Sequence, residues 1–138
     1  ENHMDTNAAY WDELLFDGQH IYGVATDDGH PMSQHCVGWV MVNAENNVPA
    51  ILDALKNGRF YASTGPEIYD FRVEDGVAKI ECSPVASVEF ISWRMPTHTV
   101  NGVSLTSAET KLPEGQSYVR ASVIDEKGRR AWTNPIFF

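Results

Sequence analysis

The sequence predicts two architectures in series: an α/β segment over residues 1–65 and a small antiparallel all-β sandwich over residues 66–138. Before Gly65, short wholly apolar runs alternate with segments of helical period, the pattern of a sheet covered on both faces. After Pro66 the period drops to two, with Tyr69, Phe71 and Val73 alternating against Asp70, Arg72 and Glu74, as in strands with one buried face. Gly65-Pro66 is itself turn chemistry and marks the change.

Asp5, Thr6 or Asn7 can cap a first helix in which Trp11, Leu14 and Leu15 recur at helical spacing and Gly18 stops the turn. The apolar run Ile21-Tyr22-Gly23-Val24-Ala25 then reads as a strand ending near Asp27, and Val37–Val42 as a second strand. Asn47 is a cap, Pro49 fits the first helical turn, Ile51, Leu52 and Leu55 form a buried stripe, and Gly58 ends this second helix. Phe60–Thr64 is the third strand. In the second half, Asp75-Gly76 is a hairpin signal before a strand over Val77–Cys82. Val88–Trp93, Ser104–Lys111, Tyr118–Ile124 and Arg130–Phe137 follow as short strands, with turns at Pro84, Pro96, Asn101-Gly102, Pro113-Glu114-Gly115 and Glu126-Lys127-Gly128.

With 43% hydrophobic and 21% charged residues, the 138-residue chain has the composition of a folded globular protein. No apolar stretch approaches the roughly 20 residues that cross a bilayer, and the N-terminus lacks the order of a secretion signal. The net charge of −9 is uneven: residues 1–65 carry nine acids, two bases and four of the five histidines, and residues 66–138 carry ten acids and eight bases. An acidic, histidine-bearing segment favours cations over phosphate backbones, which call for a basic patch, so there is no strong nucleic-acid signature. Cys36 and Cys82 have no CxxC spacing and read as plain thiols, Cys82 as a small buried hydrophobe.

The chemistry-bearing stretch is Thr26-Asp27-Asp28-Gly29-His30, directly after the first apolar run. Asp28 and His30 pair a hard carboxylate oxygen with an imidazole nitrogen two residues apart. Such donors suit Zn, Mn or Fe, ions that generate hydroxide near neutral pH and draw charge off a phosphoryl oxygen. Two ligands are too few, since a catalytic zinc takes about three protein ligands plus water. As a bare sequence, Asp-Asp-Gly-His-Pro is also good turn chemistry without any metal. His35-Cys36 beside it offers a weaker pair of donors.

Trp11-Asp12-Glu13-Leu14-Leu15, the block Ile21–His30, Gly38–Val42 and Leu55–Pro66 together resemble the last third of a PHP domain, the polymerase and histidinol phosphatase family of metal-dependent phosphoesterases. The likeness covers roughly residues 1–66, and its order and spacing are more specific than any one block. It implies that the first half is an α/β fragment comprising the last strands and helices of a distorted β/α barrel, followed by an immunoglobulin-like accessory sandwich. It implies a site of two or three divalent ions, Mn, Zn or Fe, to which Asp28-Gly29-His30 contributes the closing Asp-x-His motif; Asp27 receives no ligand role. The family's opening His-x-His and its middle motifs have no counterpart in these residues. Glu1-Asn2 resembles the end of a Glu-x-Asn strand, which implies that the chain starts partway through the domain. The expected parent hydrolyses a phosphorylated small molecule or nucleotide by metal-activated water, and this chain alone is expected to be inactive.

Structural roles are expected for Arg59, Ser63 and Thr64, with a phosphate contact as the alternative. His3, His20 and His98 read as surface or packing residues, and Trp39, Trp93 and Trp132 as core. Trp93, Arg94 and His98 can alternatively form a sugar or peptide platform, so that the chain is a non-catalytic module whose sandwich recognises a partner or glycan. If the first half is a barrel fragment, residues 8–62 are expected either to expose apolar surface, to pair with another copy through it, or to be poorly packed.

Overall fold

The computed structural model describes residues 7–138, with 45% of the described residues in strands and 16% in helices. The expectation of an α/β barrel fragment followed by a separate immunoglobulin-like sandwich is thereby overturned. One antiparallel sheet curls into a half-barrel, and its strands come from both sides of Gly65.

Helix α1 spans Ala8–Phe16 and ends at Gly18, whose φ of +84° is the left-handed conformation that glycine adopts freely. Asn7 occupies the cap position without a side-chain bond; Asp5 and Thr6, the other expected caps, lie outside the described residues, as do Glu1, Asn2 and His3. No strand forms over residues 21–27. Among the described residues no strand pairs with the apolar run, and side chains meet some of its backbone groups instead. Trp11 Nε1 donates to Ile21 O at 3.1 Å, and Gly23 N donates to Asn134 Oδ1 at 3.0 Å. A one-turn 3-10 helix over Met32–Gln34 interrupts the following loop.

Strand β1 (Trp39–Val42), helix α2 (Val48–Lys56) and strand β2 (Phe60–Ser63) follow. Alternation of strand and helix suggests a parallel crossover, but β1 and β2 pair antiparallel, Trp39 opposite Ser63 and Val42 opposite Phe60. Apolarity does not encode strand direction. The far edge of β2 is taken antiparallel by β7 (Arg130–Thr133), with Ala62 opposite Trp132. Helix α2 begins as expected, Asn47 Oδ1 accepting from Ala50 N at 2.9 Å with proline in the first turn. Its stripe differs: Ala54 is buried, Ile51 and Leu55 are half-buried, and Leu52 is exposed.

The second half is built on a long strand. β3 (Ile68–Glu74) turns through Asp75 and Gly76, both at positive φ (50° and 74°), into β4 (Val77–Ile91), as a type I′ hairpin requires. The strands expected at 77–82 and 88–93 are thus largely one 15-residue strand. Along one edge β4 pairs with β3 through Cys82 and with β6 (Tyr118–Ile124) from Ser87 onward; β5 (Pro96–Lys111) runs along the other. The break falls at Pro84, where the β4–β5 register shifts between Glu81 and Val85 and the missing N–H of proline costs no ladder bond. Asn101-Gly102 lies inside β5 rather than in a turn. The short β8 (Ile136–Phe137) pairs with β6, and the main path reads β1-β2-β7-β6-β4-β3.

The two faces of β6 divide the labour. Val119, Ala121 and Val123 point into the core with Ile80, Cys82, Val85, Val88 and Phe90. Tyr118, Arg120 and Ser122 point the other way, toward α1. There Asp12 receives Arg120 Nε at 2.7 Å and Nη2 at 2.6 Å, with both side chains almost fully buried. Trp11 lies 4.6 Å from the same guanidinium carbon, and Tyr118 donates to Trp93 O at 2.7 Å. Burial pushes the Tyr118 hydroxyl up to about 12 and the Cys82 thiol up to about 11.

Candidate functional site

Asp27 organises the loop that carries the expected ligands. Its carboxylate accepts the backbone N–H of Cys36 at 2.7 Å, Val37 at 2.8 Å and Gly38 at 2.9 Å. These bonds stabilise the charged form, so the carboxyl ionises below the ordinary Asp range, the Gly38 bond contributing most. Two glycines permit the closure. A Cβ on Gly38 would stand 2.9 Å from Thr26 O, and one on Gly29 would stand 2.8 Å from the His35 ring and 2.9 Å from Gln34 O.

Asp28 and His30 are both exposed on this pinned loop. Asp28 has φ 43°, a left-handed geometry that Asp tolerates better than most residues. His30 N donates to Gln34 Oε1 at 3.0 Å, and His30 Nδ1 lies 3.2 Å from Asp28 O. A carbonyl can only accept, so Nδ1 is the donor in this contact and Nε2 is the ring nitrogen that it leaves uncommitted. The same arrangement orients many metal-binding histidines. Among the described residues, no group of three or more His, Cys, Asp or Glu is placed to hold a metal ion. Asp28 and His30 therefore fit Zn, Mn or Fe in donor type but not in number.

The subsidiary candidates are occupied elsewhere. Cys36 is exposed at φ 59° with its amide committed to Asp27, and His35 packs against Gly29. Ser63 Oγ donates to Pro66 O and accepts from Gly65 N, while Thr64 Oγ1 donates to Arg130 O and accepts from Arg130 N. The Ser63 hydroxyl thus closes a turn and the Thr64 hydroxyl joins the end of β2 to Arg130, so neither is free for phosphate. Arg59 pairs with Asp53. His20 stacks on Phe137 with centroids 3.8 Å apart, and His98 lies 6.5 Å from Phe90. Trp93 is half exposed, 5.9 Å from Phe16, whose ring also carries Arg94.

The anchoring role of Asp27 was missing from the sequence reading; an Asp before Asp-Gly in a polar loop is the signal that carries it. The Asp12–Arg120 pair had no signal, because its members are 108 residues apart.

In comparisons with family models, with characterised proteins and with solved structures, none matches this chain. Among the described residues, no helix is long and apolar enough to cross a membrane.

Proposed function

We propose that the 27–38 loop contributes Asp28 and His30 to a divalent-metal centre that hydrolyses phosphoesters, and that its other ligands come from outside the described residues. The observation that carries this is the placement of the exposed His30 ring, whose Nδ1 lies against Asp28 O, on a loop fixed by three backbone N–H hydrogen bonds to Asp27. The resemblance of residues 1–66 to a PHP domain supports the reaction class. Mn, Zn or Fe would activate water and neutralise charge on a phosphorylated small molecule or nucleotide. Alone, two donors hold metal weakly, so this chain lacks the activity of the complete centre.

Manganese tests the reading directly. In the 138-residue chain, Mn²⁺ at millimolar concentration should broaden the NMR signals of residues 28–30 first, and His30→Ala should remove that selectivity. In a polypeptide that supplies the remaining ligands, Asp28→Ala and His30→Ala should each lower metal content and cleavage of bis(p-nitrophenyl) phosphate at least about tenfold, within the range of losses seen at metal sites. Broadening spread over the acidic surface, or cleavage retained in both variants, refutes the ligand roles.

A further inference from the structure

A second cleft, independent of the metal loop, opens between the first turn of α1 and the face of β4, β6 and β7. Its volume is about 190 Å³. That is below the roughly 300 Å³ at which sites for drug-sized ligands begin, so it suits a small molecule or one end of a longer one. Arg120 and Ser122, both 2% exposed, alternate along β6 and so line the same wall. Arg120 Nη1 and Ser122 Oγ are buried without a hydrogen-bond partner among the described residues. Buried polar atoms are almost always satisfied, and orphans in one cleft call for an explanation. The Asp12 carboxylate is taken up by Nε and Nη2, and the Trp11 ring offers Nη1 no in-plane lone pair.

The same cleft is bounded by Ala8 and Ala9, the opening residues of a nine-residue helix whose N-cap makes no side-chain bond. Its amides add a partial positive charge at that end. Among the charged side chains lining the cleft, Asp12 neutralises Arg120 and Glu89 neutralises Arg130. Arg94 has no ion-pair partner among the described residues and stands at the rim over Phe16. Among the described lining residues this leaves one net positive charge, which suits a monoanion better than a phosphate dianion. Ile91 and Trp132 supply apolar wall beyond the polar end. Arg94 and Met95, which line the same cleft, are exposed, unbranched side chains with several rotamers open to them.

We propose that this cleft binds the carboxylate of a small organic monoanion, with Arg120 Nη1, Ser122 Oγ and the α1 amides as donors and Arg94 as the closing cation. The test uses the whole chain and sodium benzoate as probe, at constant ionic strength against sodium chloride, with inorganic phosphate and acetate in parallel. Benzoate should shift the Arg120 Nε–H and the Ala8, Ala9 and Ser122 amide resonances saturably, and a chelator should change nothing. Arg94→Ala should weaken binding about tenfold, as expected for a charge-assisted contact, and Ser122→Ala about fivefold. Ser122→Ala removes an unpaired hydroxyl, so its thermal midpoint should not fall, which separates lost binding from lost folding. Failure of these resonances to saturate, an equal response to chloride, or unchanged affinity in both variants overturns the site. Tighter binding of phosphate than of benzoate and acetate overturns the carboxylate assignment.

Discussion

At the scale of the residue, Asp27 shows how one carboxylate can replace a missing strand. Residues 36–38 enter β1 from an irregular loop, and their amides have no ladder partner; Asp27 accepts all three. Because those bonds favour the ionised carboxylate and lower its pKa, the unfolded chain takes up the proton at higher pH than the folded one. The stabilisation is therefore complete above the ordinary Asp value and is lost as pH falls through the depressed one. Amide exchange at Cys36, Val37 and Gly38 should accelerate over that acidic window, with β4 and β6 unaffected. Asp27→Ala should give the same local acceleration at pH 7. Protection at 36–38 that is indifferent to both changes would show that some other contact holds the loop. His30 depends on the same anchor, since Gln34 and Asp28 orient it from within the loop that Asp27 closes.

Elements differ in how far they could be read from sequence, and the reason is range. Helix α2 is specified locally: Asn47, Pro49 and Gly58 each act within one turn, and its ends fall where those residues put them. The Asp75-Gly76 hairpin is legible for the same reason. The run 21–27 has the composition of a strand, yet a strand exists only where another backbone pairs with it, and that information lies over a hundred residues away. Asn134 fills the gap. Its Oδ1 accepts from Gly23 N, and its Nδ2 donates to Gly58 O at 3.2 Å and Phe60 O at 3.0 Å, tying the irregular run to the start of β2. Asn134→Ala strands one N–H and two carbonyls, and a cost of about 1–3 kcal/mol follows if water does not replace them. Denaturant titration should report that loss, and hydrogen exchange should place the loosening at residues 21–26 rather than in the sheet. Asp28 and His30 were legible as donors because a short motif names them. Their incompleteness was equally legible, since the sequence offers no further ligand motif.

The whole molecule raises the question of what covers its first half and whether that half stands alone. Of the fourteen large hydrophobic side chains exposed among the described residues, nine lie between Tyr10 and Leu52, including Trp39 and Met41 on the edge strand β1. An open edge with an apolar face invites pairing, and a net charge of −9 opposes it. Raising salt from about 0.1 to 1 M shrinks the screening length from ~10 to ~3 Å, so sedimentation should show association that grows with salt and disappears in Trp39→Lys/Met41→Lys. Salt-independent monomers would rule out that edge as the contact. The two halves are nonetheless joined across Gly65-Pro66 by three kinds of bond: the β2–β7 ladder, the buried Asp12–Arg120 pair and the Asn134 bridge. Breaking a buried ion pair by losing one partner costs about 3–5 kcal/mol, a large part of an ordinary domain's stability. Neither half can unfold without leaving such a group in the other, and this coupling predicts one transition where a linear two-domain plan predicts two. Variants retaining only Trp39 in the first half or only Trp132 in the second should give coincident urea midpoints by fluorescence. Midpoints separated by more than the error of either curve would mean that the shared sheet does not bind the halves into one cooperative unit.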